Sequence, residues 1–397
     1  MAEPRKFRPK FGTHVTDTGF WLGAKPSPDA VLARLTSGES VKSFGLRRIG
    51  KSSLMREAAR RLRGDERAVI FLDGQQLHSV PSLLKEIIVE LPREKGPVRR
   101  LLDWSKSIGL PPEVKAKFEA MITERIVGAS EPALDAYAEL LFKELGAAFA
   151  ALPPEQRPIL FVDELPWFCD NVMKAAGSAD RAGASARLNN LLAVLRAWRG
   201  EDIGVAMALC GSLSMSWLQR EHGVLSDHVN DCIPLDVEEL SIEEAVAMAK
   251  AMIAFTAPPD WQEGVAERLC RLLPSLFPGV VQFAFSVIKL ESRLTLEMLD
   301  EIYRDRIAEG LQSNYYSQFD KRIAHYSDAE RAAAYAIFAA IYAAEGAIKW
   351  STAEDLCGAT GRVLLDRLAE DGFVRASRKA GVRFASGLAL HWFKGRE

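Results

Sequence analysis

The chain has no excess of one charge, no long apolar run, no paired cysteines and no repeat, and each absence removes a class of protein. Lysine plus arginine number 51 against 53 aspartate plus glutamate. A chain so balanced lacks the general basic field of a dedicated nucleic-acid coat, although a local basic patch stays open. The longest apolar run, residues 332–344 between Arg331 and Glu345, is shorter than the ~20 residues a membrane helix needs. No membrane partner is expected. The N-terminal Met1-Ala-Glu-Pro-Arg-Lys-Phe carries charge with no apolar stretch behind it, so no secretory signal is expected. Five cysteines, at 169, 210, 232, 270 and 357, are odd in number and form no C-x-x-C. They argue against a disulfide framework or a zinc site and are expected as small core residues in a reducing compartment, the cytoplasm.

What is present is ordinary globular composition, 48% apolar and 26% charged over 397 residues, which excludes a disordered or collagen-like chain. The length implies two or three domains. The first 40 residues read as turn-rich. Short apolar runs then read as buried strands: 41–44, 68–72, 159–162, 204–210 and a fifth at 233–235. Helical spacing separates them, at 53–62, in a proline-broken stretch over 80–152 ending in Leu134, Tyr137, Leu141, Leu145 and Phe149, and in Leu188, Leu191, Leu192, Leu195 and Trp198. Strands alternating with helices predict an α/β core with a parallel sheet and helices on both faces. After about Asp236 the strand signals stop. Helices are expected at 241–255 and 261–273 and after Pro278. A helix at 328–344, two short helices at 351–357 and 362–370, and a two-stranded hairpin over 373–385 then follow, the order of a winged helix. The expected domains are 1–235, with a helical insert at about 80–152, then 236–320 as a helical lid, and 321–397.

Gly45-Leu-Arg-Arg-Ile-Gly-Lys-Ser52 fits G-x-x-x-x-G-K-[ST] in full, between a strand and a helix. Its glycines let successive N–H groups turn toward phosphate oxygens, and the helix adds its positive end. Lys51 supplies a cation for the outer phosphates and Ser52 a hydroxyl for Mg²⁺. Asp163 ends a strand buried on both faces and is placed to hold the Mg²⁺ through water. Glu164 is placed to polarise a water for attack on the γ-phosphate. Ser212, in the turn after the next strand, is placed to sense that phosphate, although a serine in a strand-ending turn serves as readily for structure. No N-K-x-D stretch for guanine occurs, so the expected ligand is ATP with Mg²⁺. The site comprises Gly45, Arg47, Arg48, Ile49, Gly50, Lys51, Ser52 and Ser53 with Ser212 around the nucleotide, Ser52 and Asp163 on the metal, and Glu164 and Lys51 in catalysis.

The runs 45–54, Phe161-Val-Asp-Glu-Leu-Pro-Trp167 and Cys210-Gly-Ser-Leu-Ser214 resemble the archaeal-type P-loop ATPase family. That family belongs to the STAND branch related to AAA+ and origin-recognition ATPases. The Arg47-Arg48 pair and the Asp-Glu-x-Pro-aromatic run are the most telling pieces. The resemblance covers core, helical lid and C-terminal winged helix. It implies ATP-driven switching, often with subunit assembly, and a winged helix that can contact DNA or a protein; hydrolysis, expected to be slow, is expected to depend on Glu164. Two departures stand out. Gly23 is followed by Ala24 where relatives have Gly-Arg. The lid has Ser275-Leu-Phe-Pro278 where relatives have Gly-Gly-x-Pro, with no nearby arginine, so no lid arginine is assigned.

Arg187, Arg196 and Arg199 are candidates to complete a neighbouring subunit's site. Arg362 and Arg367 on the candidate recognition helix, with Arg375, Arg378, Lys379 and Arg383 about the hairpin, are candidates for a double-stranded DNA backbone; docking of a protein effector is the other reading. Two rival functions stay open, an ATP-dependent DNA-bound regulator or transposition accessory factor and a signalling scaffold of a bacterial conflict or defence system. A small-molecule kinase fits less well, given the Asp163-Glu164 pair and the C-terminal module.

Overall fold

The computed structural model describes residues 26–64, 67–90, 138–257, 260–358 and 361–396. Gly23, Ala24 and most of the expected insert, with Leu134 and Tyr137, lie outside the described residues. Among the described residues two compact units are present: Pro28–Phe44 with Leu54–Asp236, and Gly45–Ser53 with Val237–Glu397.

The first unit is built on a parallel five-stranded sheet. Its strands are β1 (Val41–Phe44), β2 (Val69–Asp73), β3 (Ile159–Asp163), β4 (Met207–Gly211) and β5 (Ile233–Pro234), in the order β2-β3-β4-β1-β5. All neighbours pair in parallel, so the α/β class read from the sequence is the class observed. Every residue of β3 and β4 is buried, as expected of strands covered on both faces. The register places Phe44 beside Gly211 and Asp73 beside Asp163, lining up the carboxyl ends of the strands, where open α/β sheets bind their ligands. Helix Val80–Glu90 packs on β2 and helix Leu165–Ala176 on β4. Leu141, Leu145 and Phe149 on Ala138–Ala150 are buried together with Leu188, Leu191, Leu192, Leu195 and Trp198 on Arg181–Arg199. Both apolar stripes point inward as their spacing predicts. The Phe149 and Trp198 rings meet edge to face at 5.3 Å.

The second unit is mostly helical: Ile242–Thr256, Val265–Leu272, Pro278–Ile288, then a continuous run over 296–323 containing two π turns, Tyr303–Ile307 and Gln312–Tyr316. Beyond it come Asp328–Ala343, Trp350–Cys357, Gly361–Glu370 and Gly387–Lys394. Ser241 with Glu244 and Ser327 with Glu330 form reciprocal capping boxes that fix two of these helix starts. Rings of Phe319, Phe338, Phe373 and Trp392 form one cluster, with centroids 5.3–6.0 Å apart. Phe319 carries the end of the 296–323 run into that core. Each such buried ring contributes roughly 1.5–3 kcal/mol.

Several local expectations are corrected. Residues 28–36 form a helix, Pro28–Thr36, inside the stretch read as turns; Pro28 is its first residue, where a missing N–H costs nothing. The strand expected at 204–210 begins at Met207 and reaches Gly211. Strands do not stop at Asp236: β6 (Asp260–Trp261) pairs in parallel with β7 (Arg293–Leu294), and β8 (Ala347–Ile348) adds a third strand to the hairpin of β9 (Val374–Ser377) and β10 (Gly381–Phe384). The helix expected from 261 therefore starts at Val265. Two-residue strands are too short to show alternation, which hides them from the sequence.

Candidate functional site

Residues 45–50 turn the chain from the end of β1 into helix Lys51–Gly64. The turn needs left-handed and more extreme backbone at three places: Gly45 (φ 139°), Arg48 (φ 64°) and Gly50 (φ 114°). Glycine takes these freely, whereas at Arg48 the conformation costs about 1–2 kcal/mol, the kind of local strain found at functional positions. Lys51 is buried, 6% exposed, and its ammonium donates to the Gly45 carbonyl at 3.2 Å and to the Leu46 carbonyl. Ile49 is buried, so only its backbone is available to a ligand, while the Arg47 and Arg48 side chains are exposed. Ser52 and Ser53 lie half-buried in the first helical turn.

Three residues on one face of the 296–323 run meet this loop. The Arg47 N–H donates to Gln318 Oε1 at 2.9 Å, the Arg48 guanidinium donates to Asn314 Oδ1, and Arg322 donates to the Gly45 carbonyl at 3.2 Å. Arg322, just beyond the expected lid, holds a carbonyl of the loop and is no candidate to read a phosphate there. It lies 277 residues from Gly45 and well past Pro278, so no local motif marks it.

The acidic segment belongs to the other unit. Asp163 ends β3 and is buried, 2% exposed. The Cys210 thiol donates to its Oδ1 at 2.9 Å, and the Arg56 guanidinium stands 3.9 Å from its Oδ2. Arg56, one helical turn after Ser52, also lies over the Phe71 ring at 4.8 Å. Its Nε is buried without a hydrogen-bond partner.

Glu164 follows in left-handed backbone (φ 57°) as the cap residue before helix Leu165–Ala176. Its Oε2 accepts from the Ser212 N–H at 2.8 Å and from the Ser212 hydroxyl at 2.9 Å. The Trp167 indole N–H donates to that same hydroxyl oxygen at 2.9 Å. An indole N–H only donates, so the proton of Ser212 is left to Glu164. The structure thus joins Ser212 to the carboxylate expected to act as base. Ser214 accepts from the Trp217 N–H and caps helix Met215–His222.

The other candidates separate cleanly. Arg199 is buried, with its guanidinium on both oxygens of Asp231 at 2.7 and 2.8 Å, which removes it as a group offered to a neighbour. Arg196 donates to the Asp227 carbonyl and Arg187 to Asp180. Arg367 is buried, 3% exposed, paired with Glu330 at 2.6 Å and stacked 3.3 Å above the Tyr326 ring centroid; this corrects its placement on a DNA-facing surface. Arg362 lies exposed beside Asp366 at 3.5 Å, and Val363 next to it is 76% exposed. Arg375 and Arg383 stand directly opposite one another on β9 and β10.

Sequence reasoning missed Arg56, Gln318, Asn314 and Arg322; it used Trp167 only as the aromatic of the Asp-Glu-x-Pro-aromatic run, without its bond to Ser212. Only Arg56 had a local signal, its i+4 spacing from Ser52. Among the described residues no three His, Cys, Asp or Glu side chains gather as a metal site, and no helix is long and apolar enough to cross a membrane.

Comparison of the sequence with family models and with curated proteins returns no match. Solved structures do resemble the chain. A Walker-type ATPase of Pyrococcus abyssi aligns over 92% of this chain and 94% of its own at 18% identity, with a TM-score of 0.48. The Aeropyrum pernix ORC2 protein, in its ADPNP–ADP complexes, aligns over 93% and 92% at 12% identity and TM-score 0.46. The Aeropyrum pernix ORC1 protein, in complex with DNA, aligns over 93% and 92% at 10% identity and TM-score 0.37.

Proposed function

We propose that the chain binds Mg²⁺·ATP through residues 45–53 and hydrolyses it slowly as a conformational switch of the STAND and AAA+ kind. The observation that carries this reading is the G-x-x-x-x-G-K-S loop between β1 and a 14-residue helix, with glycines at the turns its backbone needs. In this reading, loop amides and the helix N-terminus take the phosphates and Lys51 moves from its two carbonyl partners onto the outer ones. The chemistry of the donors suits a metal that arrives with its nucleotide. Mg²⁺ keeps several waters and uses one or two protein oxygens plus phosphates, so Ser52 and a single buried carboxylate, Asp163, suffice without an acidic cluster. Glu164 orients the attacking water once its Oε2 turns away from Ser212. We assign residues 236–320 as a lid and 321–397 as a winged helix, and we place the protein in the cytoplasm, assembling with copies of itself or with a protein effector.

The test pairs two variants. Lys51→Ala abolishes ATP binding measured by calorimetry, and Glu164→Gln retains binding while phosphate release falls by about 10²-fold or more. Parental turnover in Glu164→Gln overturns the assignment of the base. No uptake of adenine nucleotide by the parental chain overturns the whole reading.

Arg375 opposite Arg383 favours a second reading, that the C-terminal hairpin meets a polyanion. Like charges facing each other across a strand pair are destabilising, and duplex DNA would relieve them. The helix Gly361–Glu370 offers little for reading bases: Arg367 is buried, Arg362 lies beside Asp366, and Val363 is apolar.

A further inference from the structure

We infer that Gln318 is an internal ligand of the phosphate loop, and that a phosphate oxygen reaching the Arg47 amide has to displace it. The inference rests on the proposal that residues 45–53 bind a nucleoside triphosphate. It adds a residue that sets how tightly they do so.

The geometry identifies which end of the carboxamide faces the loop. Gln318 Nε2 donates to the Asn314 carbonyl at 2.6 Å, while Gln318 Oε1 accepts from the Arg47 N–H at 2.9 Å. Both partners are single-role backbone groups, so a flipped amide would set donor against donor and acceptor against acceptor. Asn314, one turn earlier, repeats the device: its Nδ2 donates to the Gly310 carbonyl at 2.8 Å and its Oδ1 accepts from Arg48. Asn314 lies in the π turn Gln312–Tyr316, where the regular i→i−4 ladder is interrupted. One helix face thus presents two carboxamide oxygens to the donors of the loop. A carboxamide oxygen is a neutral acceptor, the same kind of partner, without the charge, as a phosphate oxygen.

The loop is also held by its acceptors. Arg322 bridges the Gly45 carbonyl (3.2 Å) and the Asp371 carbonyl (2.5 Å), and Asp371 accepts from the Tyr326 hydroxyl at 2.6 Å. On another side, Gly279 at the start of helix Pro278–Ile288 approaches so closely that a β-carbon there would collide with the Arg48 carbonyl. Donor and acceptor groups of one short loop are therefore bonded to Asn314, Gln318 and Arg322, with Gly279 packed against it. A ligand competing for the Arg47 amide competes with Gln318, and its apparent affinity is lowered by that competition.

The experiment is calorimetric titration of the full chain with Mg²⁺ and a slowly hydrolysed ATP analogue, so that affinity is read without turnover. Gln318→Ala removes the competitor and tightens binding roughly 3- to 10-fold, the span expected for one net hydrogen bond. Gln318→Glu keeps the shape, accepts the amide more strongly and repels phosphate, so binding weakens by roughly tenfold or more. Opposite signs in the two variants support the inference; a merely structural Gln318 would weaken binding in both. Unchanged affinity or weakening in both, with the parental chain binding, overturns this inference alone. Absence of binding by the parental chain overturns the phosphate-loop reading and this inference with it.

Discussion

Arg367 shows how a residue's surroundings, and not its type, decide its role. On the sequence it is a cation on a helix suited to DNA. In the structure it is buried, bonded to Glu330 and to the His325 carbonyl, and stacked on Tyr326. Burial raises the Glu330 carboxyl, but hydrogen bonds from Ser327 and Arg367 outweigh it and hold the group below its ordinary value. A depressed carboxylate stabilises the fold above its unfolded value, about 4.3, and loses that contribution as pH falls through the folded value. Arg367→Met therefore costs roughly 2–4 kcal/mol near pH 7, because it strands a partly buried carboxylate. The deficit narrows as the pH is lowered below about 4. Thermal melts of parent and variant across pH 3–8 check both the size and the direction; a deficit that grows in acid would contradict the assignment.

At the scale of elements, legibility followed the length of the signal. β3 and β4 are continuous apolar runs and were readable as buried strands, as were the stripes around Leu141 and Leu188, because burial on one face dictates the period. The two-residue strands β6, β7 and β8 have no period to read. The loop 45–52 was legible because its chemistry fixes residue types at fixed spacing. Its partners Gln318 and Arg322 were not, since contacts across some 270 residues leave no mark on local sequence. Helix Pro278–Ile288 belongs with them. Its first turn touches the Arg48 carbonyl only because position 279 lacks a β-carbon. Gly279→Ala forces helix and loop apart, lowers stability by about 1–3 kcal/mol as overpacking does, and weakens ATP-analogue binding. Ala substitution at Gly395, where a β-carbon would meet nothing nearer than 3.6 Å, is the matched control and leaves both unchanged. Melting curves and titrations of the two variants give the comparison.

For the whole molecule, charge is the constraint. The formal net charge is −2, so no global field draws the chain to nucleic acid, and any contact depends on a local group of cations. Burial of Arg367 leaves Arg375, Arg378, Lys379 and Arg383 about the hairpin as that group. Arg378 lies near the Trp350 ring, 6.0 Å from its centroid, which limits its freedom without neutralising it. If the hairpin meets duplex DNA, four phosphate contacts give a slope of log affinity against log salt of about −3.6. Because helix Gly361–Glu370 offers base edges only Arg362, which lies beside Asp366, duplexes of unrelated sequence bind nearly alike. Arg375→Ala with Arg383→Ala removes two of the four cations, so the slope falls to about −1.8 and the fold gains slightly from the loss of their repulsion. A fluorescence titration of two unrelated duplexes from 25 to 200 mM salt (roughly the range where such slopes are read) tests this directly. A slope near zero, or strong preference for one sequence, contradicts the hairpin reading and returns the C-terminal module to protein docking, with Val363 at its exposed face.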